Sequence, residues 1–278
     1  MPELPEVETV LRRLRPRLRG RRIEGVEFRR GSRVLRDTVP APKLAGHLRG
    51  ARVEEVRRRG KYLILDLDCG HGLVIHLGMT GRLADHAAGH EHAHVHARFR
   101  FEGFDLLFTD ARTFGRIVLL PEGRVEALPG LAGLGPEPLG AEFTAAYLGG
   151  VFQGRKAPVK ALLLDQRVAA GMGNIYADEA LFRAGIHPLR RAGSLHAAEL
   201  QRLRQAIRAV LREAIRARGT TIMNYEWASG KEGSFQTRLR VYGRAGEPCR
   251  KCGATIVLTR TAGRSACFCP NCQPRRRK

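Results

Sequence analysis

The chain has 278 residues, of which 43% are hydrophobic; that length suits two domains at the usual ~100–200 residues each, and the apolar content excludes a disordered polyelectrolyte. Forty-nine Lys and Arg against 27 Asp and Glu leave a formal net charge of +22, an excess that points to a polyanionic partner, because basic side chains release condensed counterions from a phosphate backbone. No apolar run reaches the ~18 residues of a membrane span and the start lacks a signal-peptide layout, so no membrane partner and a cytoplasmic location are expected.

The first element follows from MPELPEVETVLRRL. Val7, Val10, Leu11, Leu14 and Leu18 recur at helical spacing, Pro5 suits a first turn and Gly20 a stop, which predicts a helix over 5–20. Short, turn-bounded strands come next: RRIEGVEFRR, ARVEEVRRR, KYLILDLD, GLVIHLGM, HVHARFRF, FDLLFTD and RIVLLP. Their alternation predicts an antiparallel sandwich or barrel. Within this region HAAGHEHAHVHAR (86–98) is dense in histidine. His92, His94 and His96 would share one strand face, which admits a second metal site, although a polar loop entering a strand is the plainer expectation.

LPGLAGLGPEPLG (128–140) is punctuated by Gly and Pro and is expected to join domains. This gives a catalytic domain at 1–130, a linker at 131–140, a helical domain at 141–243, a ribbon at 244–273 and a basic tail at 274–278. Helical patterns follow around 142–150, 158–170 and 174–184, then from Leu195 to Arg218 with Ser194 as N-cap and Gly219 as stop. GMGNIYADEALF (171–182) sets a Gly-x-Gly-Asn turn before a helix, where backbone N–H groups can take a phosphate. The strongest local motif is CRKC…CPNC. Cys249 and Cys252, then Cys269 and Cys272, form two C-x-x-C knuckles with 16 residues between them, the pattern of one tetrahedral zinc ion rather than a disulfide framework. Cys267 is expected as a small packed residue.

The tip itself has chemical potential. Pro2 permits removal of the initiator methionine, exposing a secondary α-amine. Such an amine titrates near ~8 and a lysine near ~10.4, so at neutral pH roughly a tenth of the former is unprotonated against well under a thousandth of the latter. Attack of a secondary amine on a sugar aldehyde carbon gives an iminium, an electron sink that promotes loss of a neighbouring phosphate. Glu3 stands beside it for proton transfer.

Taken in order, MPELPEVETV, KYLILDL, HLGMTGRL, TDARTFGR, LGPEPL, KALLLDQ, GMGNIYADEALF, GTTI…GSFQTRLRVYGR and GRSACFCPNCQ resemble the formamidopyrimidine-DNA glycosylases over essentially the whole chain. The resemblance implies an α+β protein. It would carry an N-terminal β-sandwich with an N-terminal helix, then a helical helix-two-turn-helix domain ending in a zinc ribbon with one structural zinc. It implies a monomeric bacterial enzyme, acting in the cytoplasm at the nucleoid on double-stranded DNA carrying oxidised bases or abasic sites. That enzyme excises 8-oxoguanine and formamidopyrimidines and nicks the strand by β- and δ-elimination, without a redox cofactor or magnesium. By motif correspondence the nucleophile falls on Pro2, the proton donor on Glu3, the β-elimination amine on Lys61 and the second-elimination arginine on Arg264. Met79, Arg112 and Phe114 would fill the gap left by an extruded base, and His92, Arg155, Lys160 and Asn174 would contact phosphates. Residues 219–243 would close over the lesion. Ala111, Thr113, Arg155 and Cys267 depart from the common pattern, and none is a proposed reacting group. Two alternatives stand beside this reading: a relative preferring oxidised pyrimidines, against which PELPE weighs, and a non-catalytic zinc-ribbon DNA-binding protein.

Overall fold

The computed structural model describes residues 1–35, 40–220 and 233–275; the expected lesion-closing segment falls largely outside them at 221–232, as does the end of the basic tail. The chain divides into two compact units, the first Met1–Ala132 and the second Gly133–Thr220 with the residues from Ser234 onward.

In the first unit, helix α1 (Leu4–Leu18) buries Leu4, Val7, Val10, Leu14 and Leu18 along one stripe, the spacing that lets a helix close one face of a core. Strand β1 (Gly25–Phe28), helix α2 (Ala41–Leu48) and strands β2 (Val53–Arg59), β3 (Tyr62–Leu67), β4 (His71–His76), β5 (Arg82–Ala87), β6 (Val95–Phe101), β7 (Phe104–Thr109) and β8 (Arg116–Pro121) follow. They form two four-stranded sheets, ordered β1-β6-β7-β5 and β2-β3-β4-β8, and every pairing is antiparallel. Leu65 and Ile75 of one sheet share a single apolar core with Phe99 and Phe108 of the other and with Val10 and Leu14 of α1. The sandwich, not the barrel, is therefore the architecture.

RLADHA, which becomes β5, is not among the expected strands. It pairs with β7 alone and buries only Leu83, so its core-facing signal is one residue long. The expected alignment of His92, His94 and His96 on one face also fails. β6 begins at Val95 and its register shifts between Val95 and Ala97, while His94 takes φ 59, which ends extended backbone.

The second unit contains α4 (Ala145–Phe152), α5 (Val159–Leu164), α6 (Asn174–Ala184) and α7 (Ala197–Arg216), preceded by the single turn α3 (Pro129–Ala132) at the end of the first unit. α6 and α7 pack together and are joined by Arg183, whose guanidinium forks onto the Glu213 carboxylate at 2.7 and 2.6 Å. α7 starts later than expected: His196, not Ser194, is its N-cap, completed by Glu199. Strands β9 (Val257–Thr261) and β10 (Arg264–Phe268) form a hairpin turned by Ala262 (φ 48) and Gly263 (φ 70), the primed geometry that matches strand twist.

Residues 134–140 are not a free linker. Gly135 N–H donates to the Gln166 carbonyl at 2.9 Å, and a Cβ on Gly135 would lie 2.1 Å from the Arg167 carbonyl oxygen. Arg208 donates to the carbonyls of Leu139 and Gly140. This stretch therefore belongs to the helical unit.

Candidate functional site

Pro2 is buried and lies one residue before the N-cap of α1, while Met1 is 45% exposed. Glu3 caps the helix and its own N–H donates to Glu6 Oε2 at 2.8 Å, the reciprocal pattern of a capping box. The E-x-x-E spacing carries this signal in the sequence, although it is the structure that gives Glu6 its role. The positive end of the α1 dipole lies at this tip. Both Glu3 and Glu6 are buried, so the segment is held rather than frayed.

Lys61 precedes β3 and is only 8% exposed. Its ammonium lies near His76 at the end of β4. Burial first, then the cations of Lys61 and Arg116, push the His76 imidazole down to about 4, so it is neutral at physiological pH. Its Nδ1 accepts the Gly78 N–H at 3.1 Å, which ties β4 to the loop bearing Met79. Sequence reasoning misses this histidine because nothing in HLGMTGRL distinguishes it from a strand-end polar residue.

Two loops of the first unit converge. Gly78 (φ 63) lies against the Phe114–Gly115 peptide, where an added Cβ would sit 2.5 Å from the Phe114 carbonyl carbon, so only glycine fits. Asp110 joins the loops: Oδ1 accepts from Thr80 Oγ1 at 2.5 Å and from the Arg112 N–H at 3.2 Å, and Oδ2 accepts from the Gly115 N–H at 2.7 Å. The aspartate-to-second-residue bond is an Asx turn, for which the Asp in TDARTFG is the sequence signal. This scaffold presents Met79 (40% exposed), Phe114 (46% exposed) and Arg112, whose guanidinium lies 4.9 Å from the Phe114 ring centroid. Large apolar side chains left in solvent beside an arginine, on loops fixed from below, are poor core residues and good wedges. His92 stands apart; it is exposed and its Nδ1 bonds the Ala93 carbonyl at 2.7 Å.

In the second unit α6 organises the rest. Asn174 Nδ2 donates to Ser265 Oγ at 3.2 Å. Asp178 takes the Cys267 N–H at 3.0 Å and Glu179 takes the N–H groups of Arg240, Val241 and Tyr242 at 2.9 to 3.0 Å. Lys160, expected on a phosphate, is instead fully buried. Its Nζ lies 2.6 Å from Asp178 Oδ1 and donates to the Ser265 carbonyl at 2.5 Å. A side chain with no solvent exposure cannot reach a phosphate on the surface, so this expectation is corrected: Lys160 fastens β10 to α5 and α6. Burial pushes the Asp178 carboxyl up to about 6 against the opposing pull of Lys160. The two acids escape notice in the sequence because α6 is buried on nearly every side and shows no amphipathic stripe. Arg155 is exposed, and Arg264 is exposed at the start of β10.

The four cysteine sulfurs all lie within 4.8 Å of one another. Cys252 Sγ is 3.4 Å from Cys269 Sγ and 3.5 Å from Cys272 Sγ, and Cys249 Sγ is 4.0 Å from Cys272 Sγ. Tetrahedral zinc with Zn–S bonds of ~2.3 Å sets sulfurs about 3.8 Å apart, so the donor set fits one structural zinc. Among the described residues no second such group occurs, and the histidines form none. Cys267 is buried, as expected. Chelation should abolish most DNA affinity while the melting transition of the sandwich unit stays in place; calorimetry paired with a binding titration checks this, and simultaneous melting of both units would contradict it.

The sandwich, the helical unit and the four-cysteine ribbon together are the architecture of a DNA glycosylase. Three family models match in sequence: the formamidopyrimidine-DNA glycosylase N-terminal domain over residues 1–117, its H2TH domain over 134–226, and the zinc finger found in FPG and IleRS over 246–275. The formamidopyrimidine-DNA glycosylase of Desulfitobacterium hafniense is 47% identical over 274 residues, covering 98% of this chain and 100% of that one. A mutant Lactococcus lactis FPG in complex with Fapy-dG containing DNA superposes with a TM-score of 0.91 at 34% identity, covering 99% and 100% of the two chains. The MutM (FPG) protein from Thermus thermophilus gives 0.87 at 44% identity, with 98% of each chain covered. The chain belongs to the formamidopyrimidine-DNA glycosylase family, which carries glycosylase and AP lyase activity.

Proposed function

We propose that this chain removes oxidised purines, 8-oxoguanine and formamidopyrimidines, from double-stranded DNA and opens the strand through the amine of Pro2. The observation that carries the reading is the placement of Pro2 and Glu3 in a buried helix start within the unit that also bears the Met79, Arg112 and Phe114 wedge.

A stacked base hides its glycosidic bond, so the nucleotide must leave the helix first. Met79 and Phe114 fill the gap, and Arg112 hydrogen-bonds the orphaned partner base. With Met1 removed, the Pro2 nitrogen attacks the anomeric carbon as the base departs, and Glu3 delivers a proton to the ring oxygen. The sugar opens to an iminium. Its positive charge acidifies the adjacent C2′ hydrogen, and removal of that proton expels the 3′ phosphate; Lys61 assists here. A second elimination, assisted by Arg264, expels the 5′ phosphate and leaves a one-nucleotide gap. Arg155, Asn174 and the N–H groups at the start of α6 take backbone phosphates, as does His92 in the first unit. Lys160 acts behind them, holding the strand that carries Arg264. Cys249, Cys252, Cys269 and Cys272 hold zinc, which gives the ribbon its fold and takes no part in the chemistry. The protein acts as a monomer in the bacterial cytoplasm, on nucleoid DNA.

The test is cleavage of matched duplexes carrying 8-oxoguanine opposite cytosine or thymine glycol opposite adenine. Faster cutting of the first, with phosphates on both sides of the gap, is expected. Preference for thymine glycol would overturn the purine assignment, and binding without cutting of abasic DNA would overturn the lyase.

Acid should loosen the wedge scaffold. The His76 pKa in the folded chain lies below its unfolded value of 6.5, so its contribution to stability is complete above about 6.5 and is lost as pH falls toward 4. His76→Asn keeps an acceptor for Gly78 without the titration. Its melting temperature should fall less steeply than wild type between pH 6.5 and 4.5, and parallel curves would contradict the assignment.

A further inference from the structure

Many arginines of the first unit are held by carboxylates. Arg13 pairs with Asp85, Arg15 with Glu55, Arg57 with Asp66, Arg58 with Glu8 and Arg98 with Asp105. The turn after β1 differs. Arg29, Arg30 and Arg33 are exposed, and among the described residues none of the three has an ion-pair partner. They line an open cavity of about 430 Å³ whose far wall is Ala111 and Thr113 of the wedge loop. Three guanidiniums around one concavity, none of them paired with a carboxylate among the described residues, make it attractive to an anion.

The rest of the cavity is already committed. Ser32 Oγ bonds His96 Nδ1 at 2.8 Å, and His96 Nε2 bonds the Asp110 carbonyl at 2.9 Å. The Asp110 carboxylate, the one acidic group among the described residues of the lining, is turned to Thr80, Arg112 and Gly115. Among the described residues, three cations against one engaged anion make the lining positive. Its backbone is unusual as well. Four described non-glycine residues have positive φ, and two of them, His94 (φ 59) and Thr113 (φ 54), line this cavity. For a β-branched threonine that conformation is strained, and such strain collects where a loop is shaped for a ligand.

We infer that the Arg29–Arg33 turn is a phosphodiester site for the strand opposite the lesion, a conclusion that rests on the glycosylase reading above. Arg112 addresses the orphaned base, which belongs to the undamaged strand. Thr113 and Ala111 flank Arg112 in the chain and wall the cavity, so a phosphate entering there comes from that same strand. The site anchors the undamaged strand while the lesion nucleotide is drawn out, and its recognition is blind to sequence.

The experiment uses lesion duplexes in which single phosphates of the undamaged strand are replaced by neutral methylphosphonates. Wild-type affinity should fall at one or two adjacent positions near the orphaned base, and the triple variant Arg29→Gln, Arg30→Gln, Arg33→Gln should be indifferent to those same replacements. Its plot of log affinity against log salt should be shallower by about 0.9 for each phosphate that the variant no longer neutralises. Wild type insensitive at every undamaged-strand position overturns the site without reliance on any variant. So does a folded triple variant with the wild-type slope and sensitivity. Borohydride trapping at saturating DNA separates the two readings: the variant should still be trapped through Pro2, whereas failure of wild type to be trapped would strike the glycosylase mechanism and leave the phosphate measurement standing.

Discussion

A preparation in which Met1 stays attached should bind lesion DNA and fail to cut it. In the unprocessed chain the Pro2 nitrogen is an amide, its electron pair delocalised and unable to attack carbon. Removal of Met1 turns it into an amine that is roughly one-tenth free at neutral pH. The strand-opening rate should therefore drop on the order of 10⁴-fold or more, the scale on which loss of a covalent nucleophile lowers kcat elsewhere. Affinity should change little, because the wedge and the second unit are untouched. Pro2→Gly supplies a primary amine after processing and should keep measurable activity. Its imine must hold a proton to act as an electron sink, so the residual rate should fall more steeply as pH rises. Intact-mass analysis alongside a nicking assay checks both, and wild-type nicking with Met1 retained would contradict the assignment.

The second large effect is one of stability. Lys160→Met should cost about 3–5 kcal/mol, because it strands the Asp178 carboxylate in the interior. Asp178 stays buried with its other oxygen on the Cys267 N–H, so without Lys160 it must either hold an unpaired charge or take up a proton at neutral pH, and either state is costly. Lys160→Met combined with Asp178→Asn should be less damaged than Lys160→Met alone, since the amide oxygen still accepts that N–H and no charge is left behind. Chemical denaturation measures both. A direct phosphate role for Lys160 predicts a different outcome, an unchanged stability with a shallower salt dependence of binding. The buried geometry predicts the reverse, lost stability with the salt slope preserved.

Features whose signal is local are legible in the chain alone. The C-x-x-C knuckles announce their metal through spacing, and α1 announces itself through its apolar stripe. The wedge follows from resemblance alone; the structure adds only that Met79 and Phe114 are exposed. What stays hidden is set by tertiary packing. β5 lies at a sheet edge and has one buried side chain, too few to establish a period. Asp178, Glu179 and Lys160 look like ordinary helix-surface charges until burial shows each one satisfied by groups distant in sequence. The histidine spacing misleads because a turn at His94 breaks the alternation that it implies. Arg29, Arg30 and Arg33 vanish among 49 cations; they stand out only once the fold gathers all three around one cavity.

Strand opening turns on which nitrogen bonds to the deoxyribose. Borohydride added during turnover reduces an iminium to a stable amine, and digestion of the linked complex locates the modified residue. The prediction is DNA attached to the peptide that begins at Pro2, with Met1 absent. Attachment at Lys61 or any other lysine, or full activity with no attachment, would contradict it.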